Sequence, residues 1–382
     1  MPDDGALQTQ LNNMPLSSKA LHLVTLLVAA VAVALVLLLS PSIAVRPIDY
    51  AHYVEASTLI LQGISPYQQV EFFAPPWFAF FMYPFLQLPT TLAPIVWLAV
   101  TVFAVCGTAL VSSTWIGFPS STKGRYMATM ATAILPPALY VYVTGQLSAL
   151  VTFTLVYLAA KVPAPPRFAS RLVPMLGFAV LTLKPHIVLL PALLLFLQLV
   201  RERDWKSVAY VASAMACLGA LASIVLPGWP QPFLQALTSG QYRGGPGLVA
   251  TGYLGLRELG VPGWLLIPIV AYAMFYWWKH GPTPLAVSFA IVANLIVVPY
   301  SRAYDYVILI LPALVAVHPT SRPLIFPTAV LAVVAISVAP ITPLALVTPT
   351  LMAIALLVRV LRSSGTPGPK PRLVRASTES EI

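Results

Sequence analysis

Residues 20–40 carry no Asp, Glu, Lys or Arg and do not alternate apolar with polar side chains. A run of that kind matches the ~20 residues a helix needs to cross a bilayer, and it lacks the two-residue period of a barrel strand. Similar runs follow one another down the chain, in which only 8% of residues are charged and 59% are apolar. So little polar surface cannot cover a soluble domain of that composition. The sequence therefore predicts an all-α fold, a polytopic transmembrane helical bundle.

The first run is about twice the length of a signal-peptide core, and no small-residue cleavage site follows it, so it is expected to be a retained helix. The two cysteines, Cys106 and Cys217, both lie inside apolar runs, which points to packing and away from a disulfide or a thiolate metal site. A net charge of +10 could suggest nucleic acid. The basic residues, however, cluster in short gaps between apolar runs, as topology signals that also attract anionic membrane lipids.

Reading those gaps assigns the sides. Lys19 before the first run, and Arg359, Arg362, Lys370, Arg372 and Arg375 after the last, put both termini inside. The expected organisation is a cytoplasmic segment 1–19, a transmembrane domain 20–361 and a basic, disordered tail 362–382. About 11–13 crossings result, with interfacial helices in the first outer loop. Between Asp49 outside and Lys161 inside the number of crossings must be odd, yet four apolar runs occur: 73–88, 92–113, 126–143 and 147–160. Either 126–143 enters only halfway, broken at Pro136-Pro137, or 73–88 lies along the surface and returns Lys123 and Arg125 to the cytoplasm. The pair 172–183 and 186–200 reads as a hairpin whose tip, Lys184-Pro185-His186, reaches the outer face, with Pro ending a helix and freeing carbonyls.

Acids are scarce, 11 in 382 residues, and the stretch 46–76 holds three of them, Asp49, Glu55 and Glu71. Asp49 is the candidate general base; the competing reading is a carboxylate that caps a helix or pairs with Arg46. Glu55, six residues on, would not share Asp49's helical face. Five of the 21 basic residues, Arg46, Lys184, Arg243, Arg257 and Arg302, fall on the outer side against the charge rule. An anionic ligand there would explain them, with Lys184, His186 and Arg302, joined by Arg243 or Arg257, as phosphate contacts. The alternatives are a snorkelling Lys184 and an Arg302–Asp305 pair at i, i+3. Gly145-Gln146 is either a helix-start turn or a sugar-binding amide. No HExxH, CxxC or His/Asp cluster suggests a tightly held metal; a loosely bound divalent ion stays open.

The ordered set Asp49-Tyr50, Gly63-Ile64-Ser65-Pro66-Tyr67, Phe73-Ala74-Pro75-Pro76, Gly145-Gln146, Gly177 through Lys184-Pro185, and Tyr304-Asp305-Tyr306 resembles glycosyltransferase family 87 of the GT-C superfamily. The resemblance spans about residues 45–310 and includes polyprenol-phosphate-mannose-dependent α-mannosyltransferases. It implies a GT-C-like bundle in a bacterial cytoplasmic membrane and transfer at the extracytoplasmic face. The donor would be a polyprenyl-phosphate sugar and the acceptor a glycolipid or glycan. An acid in the first outer loop would act as base, and Asp49 is the matching position. Tyr50, Tyr67, Trp77, Gln146, Tyr304 and Asp305 would then surround sugar or acceptor. Two rivals share most of these features: a transporter of lipid-linked sugar or polyprenyl phosphate, and a non-catalytic lipid-binding scaffold.

Overall fold

The computed structural model describes residues 48–70, 72–161, 168–238, 248–250, 262–298, 300–318, 352–354 and 356–357. The run 20–40, the segments 1–19 and 362–382, and the residues Arg46, Glu71, Arg243, Arg257 and Glu258 lie outside them. The described chain is an all-α membrane protein. In order these are α1 (Ile48–Leu61), α2 (Phe78–Leu86), α3 (Ala93–Ile116), α4 (Thr122–Ala133), α5 (Pro136–Thr144), α6 (Ser148–Lys161) and α7 (Phe168–Leu181). There follow α8 (Pro185–Arg201), α9 (Trp205–Val225), α10 (Pro230–Thr238), α11 (Ile267–His280), α12 (Pro284–Val297) and α13 (Ile310–Val317). One small sheet interrupts the helices: β1 (Leu248–Ala250) pairs antiparallel with β2 (Tyr300–Arg302), Leu248 facing Arg302.

Among the described residues two helices, α3 and α9, are by themselves long and apolar enough to cross a membrane. A third candidate is the pair α4 and α5, bent by 56° at their junction. That bend falls at the Pro136-Pro137 pair singled out from the sequence. Leu135 is extended, as a residue before proline should be, and Pro136 opens the next helix at a position where its missing N–H costs nothing. The run 73–88, by contrast, holds only the nine-residue α2. At 1.5 Å per residue it reaches about 14 Å, half of a hydrocarbon core of roughly 30 Å. Helices α6, α8 and α12 have 14, 17 and 14 residues. Each is shorter than the ~20 residues of a full crossing, and prolines open α8 and α12.

The helices run so that chemistry and charge separate. The last residues of α5 and α7 and the first of α3, α6 and α8 gather at one end: Trp97 of α3 donates to the Gly145 carbonyl after α5, and Lys184 before α8 bonds Ser148 of α6. The opposite ends of these helices carry Lys161 and Arg201, and Arg201 meets α11 at the Trp278 carbonyl, close to Lys279. Between the ends lies one large apolar core, with α3 against α6 at its densest contact. A second core forms around Val102, Cys106, Val141, Tyr142 and Val307, so Cys106 does pack, whereas Cys217 is exposed on α9.

Close approach of α3 and α6 depends on Gly107, where a Cβ would stand 2.7 Å from the Phe153 ring. Replacing Gly107 by Val is expected to cost about 1–3 kcal/mol through overpacking. The measurement is the unfolding temperature of the detergent-solubilised protein; an unchanged value would mean that Phe153 swings aside freely.

Candidate active site

Two breaks in the helical pattern build the site. Helix α5 ends at Gly145, whose φ of 71° is the left-handed conformation that glycine adopts without strain. The chain turns so that the Gln146 N–H returns to the Val141 carbonyl, and Ser148 starts α6 immediately afterwards. Gly145-Gln146 is thus a helix-ending turn as well as a bearer of a polar side chain. The second break lies between α7 and α8, where Lys184 precedes Pro185 at the first helical position. Here Asn294 of α12 receives the Leu190 N–H at 3.0 Å and donates to the His186 carbonyl at 2.8 Å. Its amide bridges the two groups that close one turn of α8, and so holds the turn carrying Lys184 and His186.

These breaks, with β2 and the 3₁₀ turn Ala303–Leu309, enclose a cavity. Asp49, Tyr53, Gln146, Lys184, His186, Arg302, Tyr304 and Asp305 supply its polar or aromatic lining, and Phe73, Ala74, Leu147 and Leu183 its apolar part. Of the residues proposed from sequence, seven therefore meet there: Asp49, Lys184, His186, Arg302, Gln146, Tyr304 and Asp305. Tyr50, Tyr67 and Trp77 do not line this cavity. Tyr50 is buried against Trp97, Tyr67 donates to the Ala74 carbonyl within an aromatic cluster, and Trp77 ties the loop before α2 to Thr182 through its indole N–H. Their aromatic surface is used for packing. Arg243 and Arg257 lie outside the described residues.

At the centre stands a buried ion pair. Asp305, 1% exposed, lies 2.7 Å from Lys184 Nζ. The ammonium has three N–H groups, and each has an acceptor: Asp305 Oδ1, Gln146 Oε1 at 2.9 Å and Ser148 Oγ at 2.7 Å. It also lies 4.4 Å above the centre of the Tyr304 ring. Asp305 is equally occupied: Ser148 donates to Oδ1 at 2.9 Å, the Arg302 N–H donates to Oδ2 at 2.9 Å, and His186 Nε2 is 3.7 Å from Oδ2. The i, i+3 relation between Arg302 and Asp305 is thus used through the backbone, where the carboxylate caps the 3₁₀ turn.

Asp49 differs. It sits in the first turn of α1, near enough to Lys184, Tyr53 and Tyr304 to act on them electrostatically, yet it has neither hydrogen bond nor ion pair with the described residues. One carboxylate is consumed by structure, and the other lines the cavity with no such partner among the described residues. Among the described residues no group of three His, Cys, Asp or Glu could hold a metal ion. Sequence reasoning missed Tyr53, Ser148 and Asn294. The available signals were a Tyr one helical turn after Asp49, a Ser closing the Gly145-Gln146 turn, and a lone amide in an apolar run.

The family model described as glycosyltransferase family 87 matches residues 72–301, more than half of the chain. The matched span includes Gln146, Lys184 and His186; Asp49 precedes it and Asp305 follows it. No curated protein and no solved structure matches the chain.

Removing one partner of the ion pair leaves a buried charge uncompensated. Asp305→Asn or Lys184→Gln alone is expected to cost about 3–5 kcal/mol, and the double variant less than the sum. A double-mutant cycle on unfolding in detergent checks this; strict additivity would mean that the two groups do not interact.

Proposed function

The chain belongs to glycosyltransferase family 87, and from that membership we propose that it moves a hexose, mannose foremost, from a polyprenyl-phosphate donor to a hydroxyl of a glycolipid or glycan. Asp49 is the general base. The observation that carries this reading is the unequal state of the two acids in the cavity wall: Asp305 is saturated by Lys184, Ser148 and the Arg302 N–H, whereas Asp49 has no such partner among the described residues.

In this mechanism the acceptor hydroxyl gives its proton to Asp49 and its oxygen attacks the anomeric carbon on the face opposite the phosphate. The new C–O bond forms as the bond to the phosphate oxygen breaks, and the configuration inverts. The leaving phosphate is stable as an anion and needs no proton donor, only positive charge that holds it more tightly as the bond breaks. Arg302 is the first candidate for that role. Lys184 has all three N–H groups engaged, so its part is to order Gln146 and Asp305, with His186 beside them. Arg243 and Arg257 remain candidates because β1, between them in the chain, pairs with the strand that ends at Arg302. A loosely bound divalent ion would find in Asp49 a carboxylate with no partner among the described residues.

The separation of charge supports a site on the extracytoplasmic side. Lys161 and Arg201 stand at the helix ends remote from the cavity, where the positive-inside rule expects the cytoplasm. With α2 too short to cross, we count α3, the bent α4–α5 pair and the shorter apolar helix α6 as three crossings between Asp49 and Lys161. Three is odd, as required, and the same count returns Lys123 and Arg125 to the cytoplasm.

Asp49→Asn is expected to lower kcat for transfer from lipid-linked sugar by about 10²–10⁴-fold, with the donor KM within a few-fold of wild type. Retained turnover would eliminate the base, and loss of donor binding instead would make Asp49 a binding group. Orientation is read separately: in a Cys217→Ser background, Gln68→Cys should react with an impermeant thiol reagent on intact cells, and Lys123→Cys only after permeabilisation. The reverse pattern would put the cavity in the cytoplasm.

A further inference from the structure

A primary amide offers one oxygen with two lone pairs and one nitrogen with two N–H groups, and which of the two faces a cavity decides what it can recognise. At Gln146 neighbouring donors settle that choice. Tyr53 Oη donates to Gln146 Oε1 at 2.8 Å and Lys184 Nζ donates to the same oxygen at 2.9 Å. Both lone pairs are taken. The amide cannot be turned over, because an ammonium has no acceptor and would then face two N–H groups. Lys184 is itself held by Asp305 and Ser148, and Gln146 is 4% exposed, so the orientation is built into the site.

We propose that Gln146 is a donor-only recognition residue, its Nε2 presenting N–H to an acceptor oxygen of the bound sugar phosphate. The assignment rests on the glycosyl-transfer reading above and sharpens it. Gln146 is among the hydrogen-bond-donating residues of the cavity wall, and Asp49 among the accepting ones. The sugar phosphate turns an oxygen towards Gln146, and the attacking hydroxyl of the second substrate faces Asp49. The acceptor oxygen can belong to the phosphate or to a sugar hydroxyl, since both offer lone pairs to an N–H.

The test compares Gln146→Glu with Gln146→Met. Glu keeps an oxygen for both Tyr53 and Lys184 but turns an acceptor into the cavity; Met removes the donors without adding an acceptor. A recognition role therefore orders the KM for polyprenyl-phosphate sugar as wild type, then Met, then Glu, with Glu raised about ten-fold or more and kcat changed less. A merely structural role predicts the opposite order, because Glu preserves both internal bonds; unfolding temperatures, measured in parallel, should follow that structural order. Inhibition by sugar-free polyprenyl phosphate locates the oxygen: parallel weakening in the Glu variant supports a phosphate contact, and unchanged inhibition supports a sugar hydroxyl. If the wild type transfers sugar and Met is worse than Glu, the inference alone is overturned. If the wild type transfers none from a panel of polyprenyl-phosphate sugars, the functional reading beneath it is overturned too.

Discussion

The site depends on Lys184 and Asp305 being charged together in a place where either alone would be costly. Opposite charges withdrawn from water recover the lost hydration only when their remaining hydrogen-bonding capacity is also met. Here it is met from several elements at once: the break before α8 supplies Lys184, the 3₁₀ turn Asp305, α6 Ser148, the turn after α5 Gln146, and the strand β2 a backbone N–H. The pair ties together segments that apolar packing alone would leave free to slide. Such packing has little directional preference in lipid, so a polar network is what fixes relative position.

Prolines and a glycine make that network reachable. A continuous helix satisfies its own backbone and presents side chains only sideways, but the interruptions at Gly145 and Pro185 turn the chain at the cavity end and aim side chains inward. Interruption leaves backbone groups needing partners. Asn294 provides them for Leu190 and His186, and Trp97 for the Gly145 carbonyl. The same geometry explains why Tyr50, Tyr67 and Trp77 are absent from the cavity wall. Tyr50 packs from α1 against Trp97, and the loop between α1 and α2 is held by aromatic packing and by the hydrogen bonds of Tyr67 and Trp77, which draws those rings towards the core.

The division of labour between two acids follows from their backbones. Asp305 occupies the third position of a 3₁₀ turn, where a carboxylate reaches back to the N–H of Arg302, and is buried with its oxygens engaged. Asp49 lies in the first turn of α1 at the cavity rim. A carboxylate that is already saturated cannot take a further proton without breaking its partnerships. The open one can.

Local chemistry was legible in the sequence. Apolar runs without charge meant helices in a membrane, Pro136-Pro137 meant a bend, Lys184-Pro185 a break, and Gly145 a turn, because each is a property of a few adjacent residues and the covalent limits of proline and glycine. The scarcity of acids drew attention to Asp49, and the misplaced cations to Lys184 and Arg302, for the same reason: a charge in an apolar chain is costly wherever it falls. What the chain order could not convey is which of those charges meet. Lys184 was open as a phosphate ligand until the fold set Asp305, Gln146 and Ser148 around it, and the polarity of Gln146 follows only from that encounter. Partnership between distant residues is decided by how helices pack, and packing is a property of the assembled bundle, not of any segment within it.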